Sequence, residues 1–391
     1  MMFLQFFIWG AWFVTMGTYL GTILKADGGQ IGQAYGTQAI GAILSPFIIG
    51  LIADRFFSAQ RIMGVLHLLG AVLLFFAAQS DVFGSFYPYI LIYMILYMPT
   101  LALVNSVSFN QMKDPAAQFA GVRLWGTIGW IVAGLLIGFV LLWEEQGLLR
   151  NTFLMASGAS ALLGIFSFTL PDTPPKGKGT SSSIGSILGL DALSLLKDRN
   201  FAVFFFSSVL ICVPLAFYYQ NANIYLNEIG MKNAAGNMSF GQVSEVLFML
   251  LLPVFLKRFG LKLTLIVGMI AWVLRYVLFA FGDAEGGLWM LFMGIILHGI
   301  CYDFFFVSGQ IYTDSKAGEQ VKSAAQGLIA LATYGIGMYI GFWLAGKIYD
   351  SYALASGGHD WFYIWIIPAG IAAAVAVLFL LLFKNEKIVT E

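Results

Sequence analysis

The sequence predicts an all-α membrane protein with twelve transmembrane helices in two six-helix bundles. Three observations predict it. Of 391 residues, 60% are hydrophobic and only 10% charged, where a soluble domain carries about 25% charged residues. The apolar residues come in successive blocks of about 20, the length that crosses a hydrocarbon core as a helix. A single proline-, glycine- and serine-rich stretch divides those blocks into six and six.

The blocks lie near 3–24, 31–53, 62–79, 88–112, 119–143, 151–170, 201–226, 238–256, 262–282, 287–313, 323–349 and 361–383. So many cannot all be hidden inside a water-soluble fold. The first lacks the basic leader and short apolar core of a signal peptide, so it reads as a retained span. Charge sorts the connections. Arg55, Arg61, Lys113, Lys176, Lys178, Lys197, Arg199, Lys257, Arg258, Lys262, Lys316, Lys322, Lys384 and Lys387 fall on the even-numbered loops and the carboxyl tail. Only Lys25, Arg150, Lys232 and Lys347 fall on the other side. Basic residues accumulate on the cytoplasmic side of membrane proteins, so both termini are expected in the cytoplasm.

The divider is PDTPPKGKGTSSS (171–183), the composition of a flexible linker. Beyond it Ile184, Ile187, Leu188, Ala192 and Leu195 recur at helical spacing opposite Ser186, Gly189, Ser194 and Lys197. That pattern predicts a short amphipathic helix on the cytoplasmic membrane surface. The organisation is then a bundle over 1–170, a linker over 171–200 and a second bundle over 201–391.

Composition also excludes several functions. The net charge is zero, which offers no electrostatic argument for nucleic-acid binding. There is no His/Cys ligand spacing, no phosphate-cradling glycine loop and no Gly-x-Ser-x-Gly elbow. Neither a metal, a cofactor nor a catalytic residue is expected, and the energy source is expected to be a proton gradient. Cys212 and Cys301 lie in apolar blocks and read as small buried hydrophobes. Gly335, Gly337 and Gly341 read as close helix packing. His67 and His359 are read without any special role.

Four charged residues remain inside the spans: Arg123, Glu245, Arg275 and Asp303. A charge in hydrocarbon costs several kcal/mol, so such residues face a cavity or a partner and mark function by default. At 1.5 Å per residue, Glu245 and Arg275 sit at similar depth below the outer ends of consecutive spans, and Arg275 is expected to neutralise Glu245. Asp303 falls near the middle of its span. Arg123 lies closer to the cytoplasm, but its long side chain reaches inward, and a contact with Asp303 would join the two bundles. Arg123, Thr127 and Trp130 form one helical stripe, Gln242 and Glu245 share a face, and His298 and Tyr302 are one turn apart. Aromatic faces, amides, hydroxyls and titratable acids together suit a flat, polar, largely uncharged solute that stacks and hydrogen-bonds.

Two levels of resemblance follow. GLIADR (50–55) resembles the Gly-x-x-x-Asp-Arg loop of the major facilitator superfamily, whose substrates bind between two halves. FSAQ (57–60) stands where that motif continues with basic residues. Asp54 and Arg55 are expected to latch helices rather than touch substrate. FLQFFIWGAWFVTMGTY (3–19), MPTLALVNSVS (98–108), RLWGTIGW (123–130), SEVLFMLLLPVFLKRFGLK (244–262), AWVLRYVLFAFGD (271–283), DFFFVSG (303–309) and AAQG (324–327) resemble, in order, the bacterial nucleoside:proton symporters of that superfamily.

The resemblance implies a nucleoside site between the halves and import by proton symport through alternating access. It assigns substrate contacts to Arg123, Thr127, Trp130, Gln242, Glu245, His298, Tyr302 and Asp303. Asp303 and Glu245 become the candidate proton carriers. In span 7 the family's polar positions align with Ala216 and Tyr219, and the amides of this chain lie at Gln220, Asn221 and Asn223, so Tyr219, Gln220 and Asn223 join the expected set. The expected partners are a nucleoside, protons and lipid, not nucleic acid, in a monomer of the bacterial inner membrane. The rival reading is a proton-coupled symporter of sugars or another small polar metabolite.

Overall fold

The computed structural model describes residues 1–48, 57–174 and 190–386. Asp54, Arg55 and residues 184–189 of the expected amphipathic linker helix lie outside them; the rest of that helix, Leu190–Lys197, is a 3-10 helix. Among the described residues the chain is all-helical. Its α-helices are α1 Met2–Phe13, α2 Met16–Thr22, α3 Gly28–Ile48, α4 Ala59–Ala78, α5 Phe83–Asn110, α6 Pro115–Leu135 and α7 Arg150–Ser167. They continue with α8 Arg199–Glu228, α9 Ala234–Phe281, α10 Leu288–Tyr302, α11 Ser308–Ala330, α12 Met338–Ser351 and α13 Trp361–Leu382. The described part of every apolar block read from the sequence lies mainly on one or two of these helices. Helices dominate because lipid offers no partners to backbone amides, so each span must satisfy its own.

Two breaks are invisible to hydropathy. Residues Ala234–Phe281 run as one helical stretch interrupted at Gly260, where φ is +73°, and Ser308–Ala330 is broken likewise at Gly318, φ +64°. Both glycines adopt a left-handed turn that other residues resist, and each joins two apolar blocks. Nine stretches among the described residues are long and apolar enough to cross a membrane. Among the described residues three π turns occur, at Leu136–Val140, Asp303–Val307 and Leu331–Gly337.

The contacts divide the chain into two compact units, one of Met1–Ile187 with Lys232–Ser239, the other of Leu188–Met231 with Phe240–Glu391. In unit 1, α1 packs on α6 and α7, and α4 and α5 pack on one another and on α7 and α3 respectively. Small residues set the spacing: a Cβ on Gly129 would run into the Phe3 carbonyl oxygen. The start of α9 belongs to this unit because the Ala235 N–H donates to Glu144 Oε2 at 2.8 Å and Gly236 packs against Gly138. In unit 2, α8 packs on α12 and α13.

Hydrogen bonds hold the helix ends. Asp198 caps α8 by accepting from the Phe201 N–H at 2.9 Å, and Lys316 donates to it at 3.1 Å. The backbone bond first, and then the ammonium, hold its carboxyl below the ordinary range. Gln60 Nε2 donates to Asp172 at 2.7 Å and its oxygen accepts from the Thr173 N–H at 2.9 Å, tying α4 to the segment after α7.

His67 and His359 are not idle. His67 Nε2 lies 2.8 Å from Gln5 Oε1, and Gln5 Nε2 donates to Thr100 at 2.7 Å. His359 pairs with Glu228 at 2.8 Å under a stacked Tyr349 ring, and Trp361 Nε1 donates to the same carboxylate at 2.9 Å. Both histidines join helices that no sequence spacing connects. Cys212 and Cys301 are free and buried.

Candidate functional site

Unit 1 contributes a basic and aromatic face on α6. Arg123 Nη1 donates to Thr127 Oγ1 at 3.5 Å, one turn on, and its guanidinium lies 4.2 Å from the centre of the Phe6 ring. Cation–π contact of this kind stabilises a cation against an aromatic face. Trp130, the next member of the stripe, packs edge-on against Trp9 with centroids 5.6 Å apart. Gly10 makes this packing feasible, since a Cβ there would come within 3.1 Å of the Trp130 backbone and ring. Arg123, Thr127 and Trp130 are all half-buried, and so reachable from one side. The stripe read from spacing is therefore present, with Phe6 and Trp9 of α1 as its added partners.

Unit 2 contributes the acids. Glycines bring α10 onto the first half of α9: a Cβ on Gly299 would lie 2.6 Å from Glu245 N and Ser244 O, and one on Gly241 3.2 Å from His298 Cβ. Ser244 seals the approach. Its hydroxyl donates toward the Gly241 and Ile296 carbonyls and accepts from the Gly299 N–H at 3.1 Å. This close contact inserts the His298 ring beside Glu245.

Between Arg275 and Glu245, expected to pair from their equal depth, the structure places the His298 ring. Arg275 Nη1 donates to His298 Nδ1 at 2.9 Å, and His298 Nε2 stands 3.9 Å from Glu245 Oε2. Depth matched the two residues, but it carried no information about which side chain α10 places between them. Arginine has only donors, so Nδ1 accepts. In a neutral His298 the proton then sits on Nε2, facing the carboxylate. Arg275, His298 and Glu245 form a relay in which any change of charge on one end is felt through the ring.

Tyr218 supports this relay and has no counterpart in the sequence reading. The Arg275 guanidinium lies 3.4 Å from its ring centre, and the ring stacks on His298 with centroids 5.4 Å apart. Spacing along α8 gives no sign of it, because the signal is a contact with residues some 57 and 80 positions away. Arg275 is fully buried, and its Nε and Nη2 have no hydrogen-bond partner among the described residues.

Asp303 opens the π turn Asp303–Val307, a distortion that often marks functional positions. It is fully buried, and neither carboxyl oxygen has a hydrogen-bond partner among the described residues. Behind it, Phe305 and Phe306 pack on Trp272 with centroids 5.9 and 5.6 Å away. Tyr302, the residue before, bonds the Tyr334 hydroxyl at 2.5 Å and packs beside His298. Tyr334, on the π turn 331–337, is a second contributor that sequence spacing does not reveal.

The remaining expected residues are placed as follows. Gln242 is half-buried, one turn before Glu245. Tyr219 is half-buried, while Gln220 and Asn223 are buried. Asn223 accepts from Asn227 on its own helix at 2.9 Å through its carbonyl and at 3.3 Å through its side chain. Asn221, buried beside them, has neither amide atom hydrogen-bonded among the described residues. Arg123 belongs to unit 1 and Asp303 to unit 2. No cluster of three or more metal-ligating side chains occurs among the described residues.

Comparison with known proteins gives consistent matches over almost the entire chain. A family profile described as Nucleoside H+ symporter matches residues 1–388. The chain is similar to YegT of Escherichia coli (strain K12), 46% identical over 396 residues that span 99% of this chain and 93% of YegT. It is similar to the xanthosine permease of the same organism, 36% identical, covering 98% of this chain and 94% of that protein. A crystal structure of the nucleoside transporter NupG has the same fold, with a TM-score of 0.88 at 33% identity and 98% of each chain covered.

Proposed function

The chain belongs to the nucleoside H+ symporter family, and on that premise we propose that it imports nucleosides together with protons by alternating access. In this reading it crosses a bacterial inner membrane twelve times with both termini in the cytoplasm, and acts as a monomer powered by the proton gradient. The observation that carries it is Asp303, a fully buried carboxyl with both oxygens unpartnered among the described residues, five residues along the chain from His298 at the centre of the arginine–histidine–glutamate relay. A permanently ionised, permanently unpaired carboxylate in that position would cost several kcal/mol. A carboxyl that gains and loses a proton during the cycle avoids holding that state.

The roles follow from the chemistry of each group. Arg123, Thr127 and the Trp130 face offer unit 1's donors and stacking surface, suited to a base and its sugar hydroxyls. Gln242, Glu245 and Tyr302 offer acceptors and donors from unit 2, with Tyr219, Gln220 and Asn223 supplying the edge of α8. Asp303 and Glu245 exchange the proton. When Glu245 is neutral, the His298 ring is released from the carboxylate and Arg275 is left as an uncompensated cation. The loaded and empty carriers therefore differ in internal electrostatics, which is what a ligand must provide to shift a conformational balance. Asp54 and Arg55 are assigned the cytoplasmic latch.

Reconstitution tests this reading. Purified protein in liposomes, given an inward proton gradient, should accumulate labelled uridine, and a proton-conducting uncoupler should abolish accumulation. Excess unlabelled nucleosides should compete, and free glucose should not. Uridine uptake indifferent to the gradient, or displaced by glucose, would reject it.

A further inference from the structure

A groove of about 260 Å³ runs along the outside of unit 2, between α8 and α13. Phe206 and Leu210 of α8 and Leu378 and Leu382 of α13 form its exposed walls, over a floor that includes buried Val375. From Arg199, which closes one end, to Leu210 the helix rises about 16 Å. That is half of a hydrocarbon core of roughly 30 Å, the depth of a single leaflet. An apolar cavity of about 150 Å³ already excludes water and accepts a small hydrocarbon. This larger trough, open at the side in a membrane-spanning bundle, therefore takes hydrocarbon rather than solvent.

Its charged end is built rather than incidental. Asn200 Nδ2 donates to the Lys384 carbonyl at 3.1 Å, and its oxygen accepts from the Lys384 N–H at 2.9 Å. The chain leaving α13 is thereby pinned to the residue that follows Arg199, and Lys384 comes to the same end of the groove. Arg199 and Lys384 are both exposed. The nearby acids are already engaged: Lys316 holds Asp198 at 3.1 Å and Glu386 at 2.8 Å, and Tyr312 donates to Glu386 at 3.0 Å. Neither the Arg199 nor the Lys384 side chain forms an ion pair with a described residue. A leaflet-deep apolar trough thus ends in two cations that have no ion pair among the described residues.

We propose that this groove binds an anionic phospholipid, with one acyl chain lying between α8 and α13 and the phosphate held by Arg199 and Lys384. Guanidinium and ammonium groups at the cytoplasmic ends of helix pairs recognise such head groups. The proposal goes beyond the transport reading and borrows from it only the orientation that makes this end cytoplasmic. Binding itself does not depend on that orientation or on the transported solute.

The test uses the full-length protein in detergent, titrated with phosphatidylglycerol and phosphatidylcholine of equal chain length bearing the same tail fluorophore. With each cation near the head group contributing on the scale of basic residues at a membrane surface, phosphatidylglycerol should bind about 30-fold more tightly. The pair Arg199→Gln and Lys384→Gln should remove that preference while leaving phosphatidylcholine binding unchanged. Ala202→Trp, which fills the trough from a half-buried lining position, should weaken both lipids at least about tenfold. Equal affinity of the unaltered protein for the two lipids would overturn the proposal without any variant. So would a preference that survives the double substitution, or binding that ignores Ala202→Trp. None of these outcomes bears on nucleoside transport, so the two readings fail separately.

Discussion

Unit 1 and unit 2 bury polar side chains in opposite ways. In unit 1, Gln5 joins Thr100 and His67, the Tyr97 hydroxyl donates to the Gln5 carbonyl at 2.6 Å, and Ser160 closes on His67 from α7. The indoles of Trp9 and Trp12 and the phenols of Tyr19 and Tyr93 have no hydrogen-bond partner among the described residues, but all are neutral. In unit 2 the unpartnered atoms among the described residues include those of a guanidinium and a carboxyl, Arg275 and Asp303. A satisfied buried network fixes one structure. Unsatisfied charges mark a place where bonds are exchanged. The difference assigns shape-keeping to the first set and switching to the second.

That contrast is easily attacked. The largest effect should come from Asp303→Asn. A membrane potential of 100 mV supports accumulation of about 40-fold per charge moved; the variant should reach only equilibrium while still exchanging labelled for unlabelled uridine. Gradient-driven uptake at the original level would remove Asp303 from the proton path. Arg275→Met should follow, cutting uptake at least about tenfold while leaving the melting temperature equal or raised, because exchanging a poorly compensated buried ion for a hydrophobe is often neutral or better. A protein that unfolds but transports normally when rescued by lipid would make Arg275 merely structural.

Gln5→Ala should do the reverse. It strips partners from His67 and Thr100 at once and should cost about 1–3 kcal/mol of stability, with the KM for uridine unaltered. If KM rises instead while the melting curve stays put, the network in unit 1 is part of the site and the contrast collapses. The smallest effect concerns a carboxylate away from the spans. Asp198 has its carboxyl held low by the Phe201 N–H and then by Lys316. Its stabilising contribution is complete above the unfolded-state value near 3.9 and fades as pH falls through the lower folded-state value. Asp198→Ala should therefore cost about 1 kcal/mol or less at pH 7, and its melting temperature should converge on that of the unaltered protein below about pH 4. A difference that persists in acid would mean that the cap acts through packing.

Much of the fold was legible because a membrane imposes one rule on every span. Among the described residues the apolar blocks lie mainly on helices, and four charges stand out against them. The site was legible only along single helices. Arg123, Thr127 and Trp130 obey a spacing, and so do His298 and Tyr302. Tyr218, Tyr334, Phe6 and Trp9 obey none that points to the site, since they enter through contacts from other helices. His298 as the bridge between Arg275 and Glu245 depends on Gly241 and Gly299 letting two backbones approach, which depth counting does not register. His67, unremarkable as a residue in an apolar run, is a hub because Gln5 and Ser160 happen to face it.

The π turn at Asp303–Val307 has a consequence for chain length. Such a turn winds one residue more than an α turn, so losing any single residue between 303 and 307 would let the helix run on without it. The segments before and after it would keep nearly their present relative rotation, whereas the same deletion in uninterrupted α-helix would turn one against the other by about 100°. Here the number of residues matters alongside their identity: a one-codon deletion inside the turn spares the register of the relay, and one between His298 and Asp303 turns His298 against everything that follows.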